Sequence, residues 1–337
     1  MTIIKASYRI VTPMFMGGAD SSPSDGIRPP SFKGALRFWW RALNWGKFCQ
    51  QHPNDEAAAL KALHQKERKL FGCAAQTVNG KQEGGQGAFL LSITKQPSLH
   101  GWVDDWPNGH TARGETSKSG YLGLGLFPMG EHKRRKAIRE NQIFEVCLRW
   151  MPHKDEEEDQ KSMLHALKAL GLFGGLGSRS RKAFGSIALE SLNGESFKCQ
   201  TEDDYSIHCA NILCRPELPY LPPYTALSPQ TRCALGKTCK DARAAHSALA
   251  NTYLTTRGRG GDVKGRSKIA FGLPLDGYDD ARRASPLLMH IHPLEHGYVS
   301  SCLFLPSDFH INYEEGGSLQ FYQGVSTFMN KFREVQL

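Results

Sequence analysis

One stretch near the middle of the chain limits what this sequence can fold into, because it is too rich in glycine to continue a helix or a strand. Residues 171–186 read Gly-Leu-Phe-Gly-Gly-Leu-Gly-Ser-Arg-Ser-Arg-Lys-Ala-Phe-Gly-Ser. Apolar residues at helical spacing precede it and residues 184–189 read as a short strand, so the predicted order is helix, glycine loop, strand. Nucleotide-binding loops have the order strand, loop, helix and offer helix N-terminal amides to phosphate. The order therefore argues against a nucleotide-binding loop of that type.

The glycine loop combines bare backbone with dense positive charge. Glycine lacks a side chain, so a ligand can approach its backbone closely, and the cations that follow can bind an anionic chain. The sequence therefore predicts a polyanion site formed by Gly174, Gly175, Gly177, Ser178, Arg179, Ser180, Arg181 and Lys182. The alternative is a helix C-cap followed by solvated basic residues.

The composition sets the broad class of the protein. With 337 residues, 40% hydrophobic and 22% charged, the chain is expected to be a soluble globular protein of two domains. Its net charge of +9 favours a nucleic acid or another anionic partner. The first residues lack the apolar run of a signal peptide, and no run approaches the ~18 apolar residues of a membrane span, so the cytoplasm is the expected compartment.

The cysteines and histidines do not form a disulfide or metal pattern. The nine cysteines are scattered without a Cys-x-x-Cys pair, which predicts reduced thiols. Cys49 and His52 have a metal-like spacing, and His290 and His292 would share one face of a strand, but neither pair has a completing set of ligands. We predict no metal and no cofactor.

A second basic segment follows a loop near the N-terminus. Ser31 is the expected N-cap of a helix whose core face carries, at helical spacing, Phe32, Leu36, Trp39 and Leu43. A neighbouring accessible stripe then collects Lys33, Arg37, Trp40, Arg41 and Asn44. Cations flanking an aromatic ring suit single-stranded RNA, because they can bind its phosphates while the ring stacks on a base. The alternative is that Trp40 only borders the core and that the cations are solvated.

The first half of the chain has the element order of a ferredoxin-like domain. Strands are predicted at residues 3–11, 87–94 and 143–150, and a further helix is predicted at residues 55–71. The acidic run 155–159 supplies negative charge to the start of the helix that ends in the glycine loop. With the helix after Ser31 and the strand after the loop, the order is βαββαβ. We interpret residues 1–200 as this domain, with an insertion at about 96–141.

The second half, residues 201–337, is less regular, and proline-rich sequence at 215–223 supports a boundary near residue 200. Its helices are predicted at residues 238–253 and 319–332, and its strands at 269–273, 287–292 and 299–305. This order fits a second, degenerate ferredoxin-like unit. The predicted fold class is therefore α+β, with two ferredoxin-like, RNA-recognition-like βαββαβ domains in tandem, carrying insertions and the glycine loop.

A third basic segment, residues 256–268, lies in the second half. Its cations stand among glycines and are Arg257, Arg259, Lys264, Arg266 and Lys268. Such a composition buries too little apolar surface to offset its ordering entropy, so we expect the segment to be mobile alone and to order on RNA or a neighbouring subunit. A solvated loop without a ligand is the alternative.

Three motifs together resemble a known family. They are residues 12–19, Thr-Pro-Met-Phe-Met-Gly-Gly-Ala, residues 27–42, Ile-Arg-Pro-Pro-Ser-Phe-Lys-Gly-Ala-Leu-Arg-Phe-Trp-Trp-Arg-Ala, and residues 176–185 of the glycine loop. These motifs resemble the repeat-associated (RAMP) proteins of CRISPR systems, most closely the first RAMP subunits of type III-B effector (Cmr) complexes. The strong part of the resemblance covers roughly the first 190 residues, and residues 283–288 match a weaker element.

The resemblance implies a non-catalytic, RNA-binding subunit of a ribonucleoprotein effector in antiviral defence. Such a subunit holds the 3′ region of the CRISPR guide RNA and helps engage target RNA, beside other RAMP subunits and the large subunit. By their positions in the matching motifs, the resemblance implies that Lys33, Arg37, Trp39, Trp40 and Arg41 of the first helix and residues 174–182 face RNA. The helical phase, however, places Trp39 in the core. The residues predicted to contact RNA outside the glycine loop are Arg28, Lys33, Arg37, Trp40, Arg41, Arg257, Arg259, Lys264 and Arg266.

Two other functions stay open at this point. One is a metal-independent endoribonuclease that processes CRISPR RNA, as elsewhere in the superfamily, with a histidine near the glycine loop as general acid or base. His165 is a candidate by sequence distance, but it is expected on a helix surface. The other is an architectural subunit that contacts only protein, and salt-sensitive RNA binding distinguishes it from an RNA-binding subunit.

Overall fold

Antiparallel sheets and helices make up the chain in the computed structural model, which describes residues 2–18, 22–78, 81–110, 117–128, 133–218, 220–273, 275, 282–308 and 319–337. Side chains are described throughout these ranges except at residues 76–78 and 81–83. Within these ranges no helix is both long and apolar enough to cross a membrane.

The first sheet contains five strands, with helices before and between them. The elements in chain order are β1 (Ile3–Ile10), α1 (Pro29–Gln51), α2 (Glu56–Phe71), β2 (Cys73–Val78), β3 (Lys81–Gly85), β4 (Phe89–Lys95), α3 (Lys118–Leu122), β5 (Ile143–Trp150), α4 (Glu157–Phe173), β6 (Ile187–Leu192) and β7 (Glu195–Ser196). The strand order in the sheet is β4-β5-β1-β6-β7, and all neighbours are antiparallel. Strands β2 and β3 form a separate two-stranded ribbon.

The second sheet repeats the arrangement of the first. Its elements are α5 (Glu202–Ile212), β8 (Arg232–Leu235), α6 (Ala242–Arg257), β9 (Leu287–Leu294), β10 (Gly297–Phe304), α7 (Gln323–Met329) and β11 (Arg333–Glu334). The strand order is β11-β8-β10-β9, again antiparallel. If the four strands of this sheet are numbered along the chain, their order across the sheet is fourth, first, third, second. The strands β6, β1, β5 and β4 of the first sheet have the same order. The predicted combination of helices with antiparallel sheets is confirmed.

Hydrophobic periodicity explains the elements that the sequence predicted well. Strand β5 occupies the predicted residues and buries every second side chain from Phe144 to Trp150. Helix α2 begins after Asp55, whose carboxylate accepts a hydrogen bond from the Ala58 amide at 2.9 Å.

Several predicted boundaries are wrong for identifiable reasons. Helix α1 begins at Pro29 with Arg28 as its N-cap, so Ser31 is not the cap; prolines suit the first helical positions because those amides have no helical acceptor. The first three residues of the strand predicted at 269–273 lie instead at the buried end of a 3-10 helix, Gly265–Phe271. Strand β6 starts three residues late because Gly185 has a positive φ of 61° and turns the chain.

Helix α5, Glu202–Ile212, was not predicted and begins directly after the boundary placed near residue 200. Thr201 and Asp204 form a reciprocal capping box at its start, and its buried residues are Tyr205, Cys209 and Ile212. Strand β8 was also missed, because four residues give too short a pattern to recognise.

The hydrophobic core does not divide at residue 200. One buried cluster joins Tyr8 and Trp39 of the first half to Leu303 of the second. The other joins Phe184 to Tyr253. Both halves therefore stabilise each other through shared packing, while the division into domains at this point stays a prediction.

The predicted insertion contributes to the core. Its Val103 and Ala137 backbones pair with each other, and Ile138 pairs with Met14. All four side chains are buried. These described residues of the insertion therefore pack against the segment that follows β1.

Candidate nucleic-acid interface

The glycine loop begins where α4 ends, and its first glycine lets two helices pack closely. Gly174 is the C-cap of α4 and is buried. A Cβ on Gly174 would lie 2.8 Å from Nε1 of Trp39, which is closer than a real Cβ contact. The Gly174 carbonyl accepts a hydrogen bond from the ring Nδ1 of His290 at 2.9 Å, which ties the loop to the second sheet.

The other glycines accommodate the backbone of the chain itself. A Cβ on Gly177, whose φ is +86°, would lie 2.6 Å from the carbonyl oxygen of Phe15. The neighbouring Ser178 amide donates to that same oxygen at 2.9 Å. A Cβ on Gly175 would meet the Gly185 carbonyl at 2.7 Å. On the side where a Cβ would lie, these glycines are packed against the backbone around Phe15 and Gly185, and polyanion binding at the loop stays a prediction.

The arginines of the loop differ in exposure. Arg179 is exposed, and its guanidinium donates to the Leu124 carbonyl from Nε at 3.0 Å and from Nη2 at 2.6 Å. Arg181 is half-buried, 5.0 Å from the centre of the Phe38 ring. Burial, followed by the nearby charge of Arg283, lowers the pKa of Arg181 to about 10. Ser180 is half-buried between them.

Lys182 reaches across to helix α6. Its Nζ donates to the hydroxyl of Tyr253 at 2.9 Å and lies 4.2 Å from the centre of that ring. Burial, followed by the positive charges of Arg257 and Arg179, lowers the pKa of Lys182 to about 7. The amine is therefore poised to change its charge near neutral pH.

The segment 256–268 is folded, which its glycine content did not predict. The amides of Asp262 and Val263 donate to the carbonyls of Thr255 and Thr256 at 3.1 and 2.8 Å. Val263 is only 5% exposed, so the turn is fixed to the core. The prediction that the segment is mobile until it binds a ligand stays a prediction, to be measured by hydrogen exchange.

The cations of this segment surround the end of α6. Arg257 is half-buried and donates to the Tyr121 hydroxyl at 3.4 Å, and the Lys268 amine donates to the Gly258 carbonyl at 3.0 Å. The remaining cations, Arg259, Lys264 and Arg266, are exposed.

Two of the basic segments predicted separately meet in the structure. Arg179, Lys182 and Arg257, which we call the basic cluster, lie close enough for both arginines to lower the pKa of the lysine. Arg135 extends the basic cluster, because its Nη1 donates to the Ser178 hydroxyl at 2.6 Å. Among the described residues none of these four cations forms an ion pair with a carboxylate, and the buried Nε atoms of Arg135 and Arg257 have no hydrogen-bond acceptor. The arrangement is suited to binding phosphate groups.

The basic stripe on α1 has a different environment. Nε of Arg37 pairs with Oε1 of Glu67 on α2, and Nε of Arg41 lies 3.5 Å from the same oxygen. Glu67 is only 3% exposed. Lys33 is half-buried with its amine 5.7 Å from the centre of the Phe89 ring, and burial, followed by the charge of Arg37, lowers its pKa. Arg28 is exposed at the start of the helix.

Trp40 does not belong to an accessible stripe, so that prediction is wrong. Its side chain is 1% exposed, its Nε1 donates to the Ser162 hydroxyl at 3.0 Å, and its ring packs on Phe48 and Phe71. The physical reason is that α2 and α4 both pack on α1. The buried face of α1 is therefore wider than the single stripe of apolar residues that the sequence predicted. The prediction that Trp39 is a core residue is confirmed, since it is 2% exposed.

Three of the histidines near the glycine loop, His246, His290 and His292, are buried packing groups. His246 contacts the Ser119 hydroxyl and the Lys182 carbonyl, each at 3.0 Å, and burial lowers its pKa to about 4. Burial lowers the pKa of His290 to about 3, and His292 stacks on Tyr205 at 4.3 Å. His165 is exposed on α4, as expected. Among the described residues no group of three or more His, Cys, Asp or Glu side chains is arranged to hold a metal ion.

Sequence reasoning missed the aromatic part of this site. Tyr253 and Tyr121 receive hydrogen bonds from Lys182 and Arg257, and their ring centres lie 6.0 Å apart. One signal was available, because Tyr253 precedes Arg257 by four residues and so shares its face of α6. Tyr121 lies in the irregular insertion, where no periodicity relates it to the glycine loop.

Comparisons with known proteins are consistent with this architecture. The family model of the RAMP superfamily matches residues 7–188, which is more than half of the chain. The fold is similar to that of Cmr1 from Pyrococcus furiosus in its apo form, at 21% sequence identity and a TM-score of 0.63, over 99% of each chain. It is also similar to a chain of a type III-B Cmr-beta complex bound to cognate target RNA, at 10% identity and a TM-score of 0.54, over 98% of each chain. A sequence comparison with curated proteins found no match.

Proposed function

Because this chain belongs to the RAMP superfamily, we propose that it is a non-catalytic, RNA-binding subunit of a type III-B CRISPR effector complex. In this role it holds the 3′ region of the guide RNA and helps engage target RNA in antiviral defence. Its protein partners are then other RAMP subunits and the large subunit, and the cytoplasm is the expected location. The fold shared with Cmr1 and with a chain of the RNA-bound Cmr-beta complex supports this assignment.

One observation carries the RNA-binding part of the proposal. The basic cluster brings together cations from two distant segments without a carboxylate partner among the described residues. Grouping like charges costs free energy unless a ligand of opposite charge compensates, and a phosphodiester backbone supplies such charge at regular spacing. Arg259, two residues after Arg257, is also exposed and offers a further phosphate contact.

The two halves fit tandem ferredoxin-like domains at residues 1–200 and 201–337. When α2, the β2–β3 ribbon, α3, β7 and α5 are set aside, each half has the element order βαββαβ, and the four main strands of each sheet have the order fourth, first, third, second. The glycine loop then follows the second helix of the first domain and lies against β9 of the second, where the Met289 amide donates to the Arg181 carbonyl at 3.1 Å.

The assignment of a non-catalytic role rests on the histidines. General acid–base cleavage requires a titratable group that reaches the 2′-hydroxyl or the leaving oxygen. His246 and His290 are buried and make hydrogen bonds inside the protein. We expect labelled RNA to stay intact with the purified chain, with and without Mg²⁺. Cleavage that is lost in His165→Ala would favour the endoribonuclease instead.

A binding measurement tests the proposed role directly. Fluorescence anisotropy of a labelled single-stranded RNA with the purified chain should show binding whose affinity falls linearly with the logarithm of salt concentration. The same measurement with the assembled effector, followed by crosslinking to guide RNA, should place crosslinks in the peptides of residues 178–182 or 257–268. Binding to protein subunits without RNA crosslinks in these peptides would support an architectural subunit.

A further inference from the structure

A second basic surface lies in a cleft on the first half of the molecule. None of the residues that line this cleft belongs to the basic cluster. Its cavity of about 470 Å³ is bounded by the end of α2, the β2–β3 ribbon and the loop before α4. A cavity of this size is in the range of ligand-binding clefts. The charged groups that line it are Lys66, Arg68, Lys69, Lys154, Glu156 and Asp159.

Both carboxylates of the cleft pair with the same lysine. The Lys66 amine lies 2.9 Å from Glu156 and 2.8 Å from Asp159. Lys69 and Lys154 are exposed, and neither forms an ion pair with a carboxylate in the described parts of the chain. Lys154 comes from a loop outside α2, and its amine donates to the Gln86 carbonyl at 3.0 Å. Positive charge from two separate elements therefore converges on the same cleft.

An apolar groove continues the cleft. The groove and the cleft share Cys73, Gly85 and Gln86 in their linings. From there the groove runs along Leu90, which is 49% exposed, towards Pro30 and Lys33. The combined surface thus has an apolar middle part with lysines at both ends.

We propose that this combined surface, the α2 groove, binds a second tract of single-stranded RNA, with phosphates at Lys33, Lys69 and Lys154 and bases against the apolar part. The inference rests on the proposed RNA-binding function and extends it beyond the basic cluster. An apolar surface with cations at both ends suits a strand whose bases can pack on the apolar part while its phosphates bind the cations. Exposed lysines bind phosphate as point charges and tolerate the varied geometry of a flexible strand.

The test compares two double variants of the full-length chain. Lys69→Gln/Lys154→Gln removes charge from the α2 groove, and Lys61→Gln/Lys240→Gln removes the same charge at exposed sites outside the α2 groove. For a labelled single-stranded RNA of ~20 nucleotides, the groove variant should bind more weakly and its salt slope should fall by about 1.4 units, at about 0.7 per lost phosphate contact. The control variant should keep the slope of the unmodified chain. Thermal denaturation of both variants checks that they are folded.

The outcomes separate this inference from the proposed function. If Arg179→Gln/Arg257→Gln weakens RNA binding while the groove variant behaves like its control, the α2 groove is not an RNA site and the proposed function stands. If the unmodified chain shows no salt-sensitive RNA binding, the proposed function fails first. Unchanged RNA binding by the groove variant, with loss of another effector subunit, would overturn the RNA assignment in favour of an acidic protein segment.

Discussion

The basic stripe of α1 and the basic cluster look alike in sequence, but they differ in what neutralises them. In the stripe, Arg37 and Arg41 share the carboxylate of Glu67 from the neighbouring helix. In the basic cluster, the Lys182 amine and the Arg257 guanidinium donate to tyrosine hydroxyls. Cations already paired inside a fold gain little from a phosphate, whereas cations held by neutral groups gain a full charge interaction. The comparison therefore ranks the basic cluster above the stripe as the RNA contact.

The largest expected effect concerns Trp40, which is buried beneath the stripe. Trp40→Ala should lower the free energy of unfolding by ~3–5 kcal/mol, because it removes a fully buried aromatic side chain. Urea denaturation followed by circular dichroism measures this. The folded fraction of the variant should bind RNA like the unmodified chain. A stable variant with weakened RNA binding would instead place Trp40 in the interface and reverse the comparison.

The next largest effect is expected for Glu67, whose carboxylate pairs with the two arginines of the stripe. Glu67→Gln should lower the free energy of unfolding by ~2–4 kcal/mol, because two partly buried guanidinium groups lose a buried carboxylate. RNA affinity should stay the same or rise, since Arg37 and Arg41 become available to phosphate. Denaturation and anisotropy on the same samples test both statements. A loss of RNA affinity in folded Glu67→Gln would mean that the paired geometry itself is needed for binding.

The two regions can be compared directly by replacing one arginine of each with glutamine. Arg257→Gln should weaken RNA binding roughly tenfold and reduce the salt slope by about 0.7 units, because a phosphate contact is lost. Arg37→Gln should leave the slope nearly unchanged, because its charge is already offset by Glu67. Anisotropy titrations at four or more salt concentrations provide both slopes. Equal slope changes in the two variants would show that the stripe contacts RNA as well.

Only those features of the two regions that follow from a local sequence pattern could be predicted. Alternation defined β5 and helical spacing placed Trp39 in the core, and both predictions are confirmed. The burial of Trp40 could not be predicted, because it depends on two further helices that pack on the same face of α1. The pairing of Arg37 with Glu67 depends on a register between helices that carries no local signal. The same limit hid Tyr121, which reaches the basic cluster from the insertion.

The smallest expected effect tests whether Lys182 takes part in binding through its charge. Its pKa of about 7 means that the free chain holds this amine protonated below pH 7 and neutral above it. A bound phosphate favours the protonated form, so binding takes up a proton, and RNA affinity should fall by about fivefold as the pH rises from 6 to 8. Tyr253 does not titrate in this window, since burial raises its pKa to about 12.

Two substitutions decide whether this pH dependence comes from Lys182. Lys182→Arg keeps a charge at all these pH values and should bind with the affinity seen at pH 6 throughout. Lys182→Met has no titrating group and should bind weakly at every pH, so both variants should lose the dependence while differing in affinity. A fivefold fall that persists in both variants would assign the proton to another group. Because Arg37 and Arg41 of the stripe pair with a carboxylate, a pH dependence confined to Lys182 would assign the proton exchange to the basic cluster rather than to these arginines.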